Sequence, residues 1–362
     1  MLGHATALDA RRRASFVPVA ARAIPRAATG ALVRALRSAA PAAALLAALI
    51  PALAAPRPAA AQYFGRNKVN YETFDFRIIR TPTFDVHYYP AESTATADMA
   101  RAAERWYARF RPFMRHQFNE RKSIIFFADQ PDFQQNNVTQ IEGEGTGGVT
   151  ESARQRVVLP HTGSYFDTHH VLGHELVHVF QYDIAANLPA GGGGAMGLNA
   201  LPLWLVEGMA EYLSLGRDDS NTAMWLRDAA RRDDIPTIKK LTTDPRYFPY
   251  RYGQALWAYV GGRYGDQAVV DVYRTSLRSG FEGAIRRVLD VSTEQLSKDW
   301  AAAIKDAYLP LMTSRTAPES TATVFLRQRS RRGGEYNVAP AVSPDGKRVA
   351  FYSSRDLFGI EI

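Results

Sequence analysis

The hydrophobic positions change period part-way along the chain. Phe84-Asp85-Val86-His87-Tyr88-Tyr89 alternates like a strand and stops at Pro90, and Ile124 to Ala128 reads as a buried strand. Gly147-Gly148-Val149-Thr150 leads to Arg156-Val157-Val158-Leu159-Pro160, which predicts a strand or hairpin pair. Between these runs, 92–118 places Met99, Ala103, Trp106 and Phe110 at helical spacing, a core stripe. From Asp167 onward the period is helical, over roughly 167–182, 201–215, 221–232, 251–264, 266–279, 281–289 and 293–308. Strands with one early helix, followed by helices, predict an α+β fold with an N-terminal mixed sheet and C-terminal helices rather than a doubly wound sheet. Asn187 to Ala190 and Gly191 to Gly194 predict a surface loop between the first two late helices.

The N-terminus has another character. Residues 1–61 hold eight Arg, no Lys and one acid, Asp9, then an apolar run from Ala39 to Ala55 and the small residues Ala59-Ala60-Ala61. That order of charged, apolar and small residues predicts a signal peptide over 1–61, cut after Ala61. The run is short, is broken by Pro41 and Pro51 and is followed by small residues rather than a basic stop-transfer flank, which disfavours an uncut anchor. Arg12-Arg13 lacks the letters that a twin-arginine signal needs. The expected location is therefore periplasmic, cell-surface or secreted, with no membrane span in the mature chain. The formal net charge of +8 on 362 residues comes almost wholly from this leader, since the rest carries 36 basic and 35 acidic side chains. No nucleic-acid partner is expected. The absence of Cys means that no disulfide is needed.

The chemistry lies in His174-Glu175-Leu176-Val177-His178. On a helix, positions i and i+4 share a face, so both imidazoles can reach one metal ion, and Glu175 beside them can reach a water without entering the coordination sphere. Two packed histidines on a buried helix would be the inert alternative. A second segment, Leu203-Trp204-Leu205-Val206-Glu207-Gly208-Met209-Ala210-Glu211-Tyr212, supplies the third ligand that a catalytic zinc wants in Glu207, 29 residues after His178. Glu211, one turn on, is placed to accept a hydrogen bond from a ligand histidine. Gly208 and Ala210 are small, as close packing on the His helix would require. His161, His169 and His170 are extra to a complete ligand set and are expected at the surface or behind the ligands.

These two helices resemble the gluzincin zinc metallopeptidases, with HExxH on one helix and a WLxEGxAEY-type helix downstream. The resemblance implies a zincin-like metallopeptidase domain over 62–315, one Zn2+ held by His174, His178 and Glu207, and Glu175 as catalytic base, acting on a peptide or protein. It also implies a donor to the oxyanion from a later helix. Tyr250-Arg251-Tyr252-Gly253 looks like the Tyr-x-x-Gly helix start that supplies it, which makes Tyr250 the donor and Tyr252 the alternative. Glu151 follows the strand before the metal helix, where aminopeptidase-like members hold the substrate amine. Its neighbours do not match that motif, so endo- and exopeptidase action stay open.

After Leu309-Pro310 the composition shifts to Ser, Thr and Arg, predicting a linker over 316–334. In 335–362, Ser343-Pro344-Asp345-Gly346 reads as a tight turn between alternating runs and resembles one blade repeat of a TolB-like β-propeller. One incomplete blade cannot bury its faces. The expectation is a longer protein with a propeller that supplies a possible protein partner, or a hairpin that docks on the peptidase domain or stays loose. The reading that competes with an enzyme is an envelope scaffold or binding protein with a structural or inert metal site.

Overall fold

The computed structural model describes residues 71–137, 146–188, 198, 200–324, 326 and 337–354. The expected leader and its cleavage site, and the run Gly191 to Gly194, lie outside the described residues. The unit that spans 65–362 is α+β. A five-stranded sheet is built from β1 (Arg77–Arg80), β2 (Phe84–Tyr88), β3 (Lys122–Phe127), β4 (Val149–Glu151) and β5 (Arg156–Pro160), in the order β1-β2-β3-β5-β4. It is mixed: β2, β3 and β5 run parallel, and β1 and β4 pair antiparallel at the edges. Position β4 as an edge strand follows from its hairpin connection to β5.

The alternation in β2 and β3 sends Phe84, Val86, Ile124 and Phe126 to the main core. Phe127 and Val158 point the other way, into a smaller cluster with Tyr89 and Phe133. Helix α1 (Ser93–Met114) covers the main face with Met99, Ala103, Trp106, Phe110 and Met114 and ends on Arg115 in the left-handed region. Short α2 (Gln130–Gln134) covers the other, capped by Asp129. Helix α3 (Tyr165–Ala186) starts at Ser164, whose hydroxyl accepts from Asp167 N, and is buried almost continuously from Leu172 to Ala185. A Cβ on Gly173 would stand 2.6 Å from Trp106 Cε2, so the indole lies flush on α3 at the turn before His174.

Helices α4 (Leu203–Leu215), α5 (Ser220–Arg231), α6 (Ile238–Thr243), α7 (Pro249–Tyr264), α8 (Asp266–Leu289) and α9 (Thr293–Met312) complete the core. Helix α8 is bent at Gly280, whose φ of 70° breaks the helix where the sequence predicts the gap between 279 and 281. Gly208 of α4 does not serve contact with the His helix, as the sequence suggests, but a crossing with α7. A Cβ there would lie 2.5 Å from the backbone of Gly253, and one on Gly253 would lie 2.3 Å from Trp204 O. The glycines let the two backbones touch, which fixes α4 against α7.

A separate two-stranded antiparallel sheet holds β6 (Asn337–Val342) and β7 (Val349–Ser353), joined through the Ser343–Gly346 turn. Val338, Val342 and Tyr352 are exposed on it. Among the described residues no helix is long and apolar enough to cross a membrane.

Candidate active site

Helix α3 presents His174 and His178 one turn apart on a buried face, with Nε2 atoms 3.1 Å from each other. Helix α4 brings Glu207 against them, its Oε2 lying 3.2 Å from His174 Nε2 and 3.1 Å from His178 Nε2. The far side of each imidazole is held differently. His178 Nδ1 donates to Gln181 Oε1 at 2.7 Å, an assignment fixed because Gln181 Nε2 is used in donating to Val206 O. Glu211 Oε1 lies 3.0 Å from His174 Nδ1, without a straight N–H alignment. The Gln181 contact puts the proton of a neutral His178 on Nδ1, and Glu211 beside His174 Nδ1 favours the same tautomer there; with neither Nε2 protonated, both lone pairs face Glu207.

Three electron pairs thus converge on one point, an arrangement that demands a positive charge between them. Burial alone would lower the pKa of His174, yet hydrogen bonds to Glu207 and Glu211 outweigh it and lift the group to about 10. Burial would raise the two carboxylates, but His178 and His174 hold Glu207, and His170 and His174 hold Glu211, well below the usual range. A proton answers that demand in part; a divalent cation answers it fully. Tetrahedral zinc with nitrogen and oxygen ligands at its usual bond lengths needs donors about 3.3 Å apart. The donor triangle of His174, His178 and Glu207, with edges of 3.1–3.2 Å, fits that requirement. His170, His174 and Glu211 also lie close enough to share an ion, but Arg251 Nη1 already sits 3.0 Å from Glu211 Oε2 and opposes a second cation there.

Glu175 is buried beside this triangle and lines a cleft of about 380 Å³ with Gly147, Gly148, His170, Val171 and Tyr250. Thr150 Oγ1 of β4 donates to Glu175 Oε2 at 2.6 Å. Gly148 makes room for this: a Cβ there would stand 3.1 Å from Glu175 Cγ and 3.0 Å from Val171 Cγ1. Tyr250, at the start of α7, stacks its ring on His174 with centroids 5.8 Å apart and planes 14° apart. Burial, then the negative charges of Glu207 and Glu175, push its hydroxyl pKa well up, so it stays a neutral donor.

His174, Glu175, His178, Glu207, Glu211 and Tyr250, picked out in the sequence, are therefore brought together, with His174, Glu175, Glu211 and Tyr250 lining the cleft and His178 and Glu207 against His174. Tyr252 is not; it packs edge-on to Tyr247 and Trp225 in the core. His170 reaches the cleft, with Nε2 3.5 Å from Glu211 Oε1. His169 lies on Trp106, and His161 stacks on Phe126, where burial lowers its pKa to about 4. Glu151 is ion-paired to Arg156. Three contributors escaped the sequence reading. Thr150 is an ordinary strand residue by type. Arg251 sits between two tyrosines and joins Glu211 to Asp219. Gln181 could have been found, as a polar residue three positions after His178 on an otherwise apolar helix.

A family model described as peptidase of plants and bacteria matches residues 155–237. That stretch runs from β5 through α5 and contains His174, Glu175, His178, Glu207 and Glu211; Thr150, Tyr250 and Arg251 lie outside it. No curated protein matches the chain. The chain carries a peptidase-like domain, and a peptidase acts on peptides or proteins.

Proposed function

We propose that the protein is an exported zinc-dependent peptidase of the gluzincin type, with a zincin-like domain. The observation that carries this reading is the triangle of His174, His178 and Glu207 with a buried carboxylate beside it that is not part of the triangle. A purely structural site has no use for that carboxylate, which disfavours the scaffold reading. The leader composition supports export, and the resemblance of 335–362 to a propeller repeat supports a partner-binding module beyond the peptidase domain.

His174, His178 and Glu207 would hold Zn2+, which when bound supplies Lewis acidity and lowers the pKa of water. Glu175 accepts the proton of the attacking water and returns it to the leaving amine. The Thr150 hydroxyl holds one carboxylate oxygen, which leaves the other turned to the cleft. Tyr250, neutral and fixed by its stack on His174, donates to the oxyanion as the carbonyl carbon becomes tetrahedral. Glu211, anchored by Arg251, keeps His174 in the tautomer that presents Nε2.

Zinc content per chain of the purified protein, measured together with cleavage of a mixed peptide library, tests this reading. One zinc and cleavage are expected. One zinc without cleavage would favour an inert site, and no zinc would sink the ligand assignment. Glu211→Gln is expected to weaken zinc binding by about 10- to 100-fold, read by competition with a chelator, because His174 loses its anionic partner. An unchanged affinity would refute the orienting role of Glu211.

A further inference from the structure

The imidazole of His174 is the inner end of a stack of rings that leads out of the cleft. Tyr250 lies on His174, Phe248 lies on Tyr250 with centroids 5.1 Å apart and planes at 23°, and Trp225 meets Phe248 at 5.8 Å and 32°. The two outer rings face solvent, Phe248 at 42% exposure and Trp225 at 37%. Phe248 lines the cleft directly, as do the small residues Gly147 and Gly148.

The stack is held rigidly in place. Phe248 precedes Pro249, which keeps its backbone extended and opens α7 at the next residue. Trp225 is backed edge-on by buried Tyr252 at 6.0 Å, and Tyr252 in turn meets Tyr247, whose hydroxyl donates to Asp234 at 2.5 Å. Rings presented in this way need no rearrangement to receive a ligand. Of the lining carboxylates, Glu211 is paired with Arg251, while Glu175 keeps one oxygen free for the water it activates, so neither is spent on recognising a side chain. The exposed parts of these rings, beside the Gly147-Gly148 stretch of the lining, favour a flat apolar guest, because offset and edge-to-face contacts add to simple area burial.

We propose that Tyr250, Phe248 and Trp225 form a side-chain subsite that selects substrates with phenylalanine, tyrosine or tryptophan adjacent to the scissile bond. The placement next to that bond follows from the inner ring, which touches a metal-binding imidazole. This inference rests on the peptidase reading, which it deepens by naming the substrate class. Phe248 acts here on specificity and not in the bond-breaking step.

The test compares wild type, Phe248→Ala and Phe248→Tyr on a mixed peptide library, with the residues flanking each cut identified by mass spectrometry. Wild type is expected to enrich an aromatic residue at one fixed flanking position. In Phe248→Ala the ratio of aromatic to leucine cuts should fall about tenfold, with Phe248→Tyr restoring it. Cleavage by wild type with no aromatic enrichment would overturn the subsite and leave the peptidase reading standing. A second arm does not depend on hydrolysis: binding of N-acetylphenylalanine amide and N-acetylleucine amide to each protein, read by saturation-transfer NMR. Binding of the aromatic amide alone, lost in Phe248→Ala, would uphold the subsite even where no peptide is cut. Equal binding of both amides, or of neither, would refute it.

Discussion

Glu175→Gln is expected to remove hydrolysis, by about 10²- to 10⁴-fold in kcat, while one zinc per chain and the melting temperature stay as in wild type. The amide has the shape of the carboxylate, so the buried position is still filled, and its carbonyl oxygen can still accept from Thr150 Oγ1. What it lacks is a lone pair basic enough to take a proton. The proposed zinc donors are His174, His178 and Glu207, and none of them bonds to Glu175, so metal content should not change. Metal analysis and steady-state kinetics on the same preparation separate the two effects. A fall of less than tenfold in kcat would remove Glu175 from the role of base. Loss of zinc together with activity would instead place it among the ligands.

The second large effect concerns stability. Gly253→Ala is expected to destabilise the protein by about 2–3 kcal/mol, because the new methyl would meet backbone that has no rotamer with which to retreat. Its Cβ would stand 2.3 Å from Trp204 O and 2.8 Å from Gly208 Cα. For a domain of this size that amounts to a fall of roughly 5–10 °C in melting temperature. Glu207 is the neighbour of Gly208, so the displaced helix should also take its ligand away from the histidines and weaken zinc binding. Gly262→Ala is the control on the same helix. Its Cβ meets nothing within 4 Å, so the substitution should be neutral or stabilise by about 0.5–1 kcal/mol through helix propensity. Equal melting temperatures for the two variants would show that the α4–α7 crossing is looser than the geometry implies.

Where the period of apolar residues was long, the sequence was informative: α3, α4 and α7 fall close to their expected spans, and the bend of α8 is marked by a glycine. Strand β1 was illegible because Arg77-Ile78-Ile79-Arg80 is an exposed edge strand with two apolar residues, too few to establish an alternation. The parallel pairing of β2, β3 and β5 is a matter of chain crossover, which no local pattern encodes. Within the site, residues on one helix could be related by spacing, so His174, Glu175 and His178 were readable together. Gly208 signals close packing in the sequence, but its partner is α7 rather than the His helix, since a glycine records that something approaches and not what approaches. Thr150 and Arg251 act through contacts of sequence separation 25 and 40, and their residue types are unremarkable where they stand.

All the proposed metal donors sit on α3 and α4, whereas part of the cleft lining comes from outside that pair: Thr146, Gly147 and Gly148 before β4, and Phe248 and Tyr250 at the start of α7. The proposed donors and part of the cleft lining are thus carried by separate segments of the chain. Exchanging the Phe248–Tyr250 corner at Phe248, or the Gly147-Gly148 rim, would retune what enters the cleft without altering a single donor atom, so descendants of this chain can diverge in diet while sharing one chemistry.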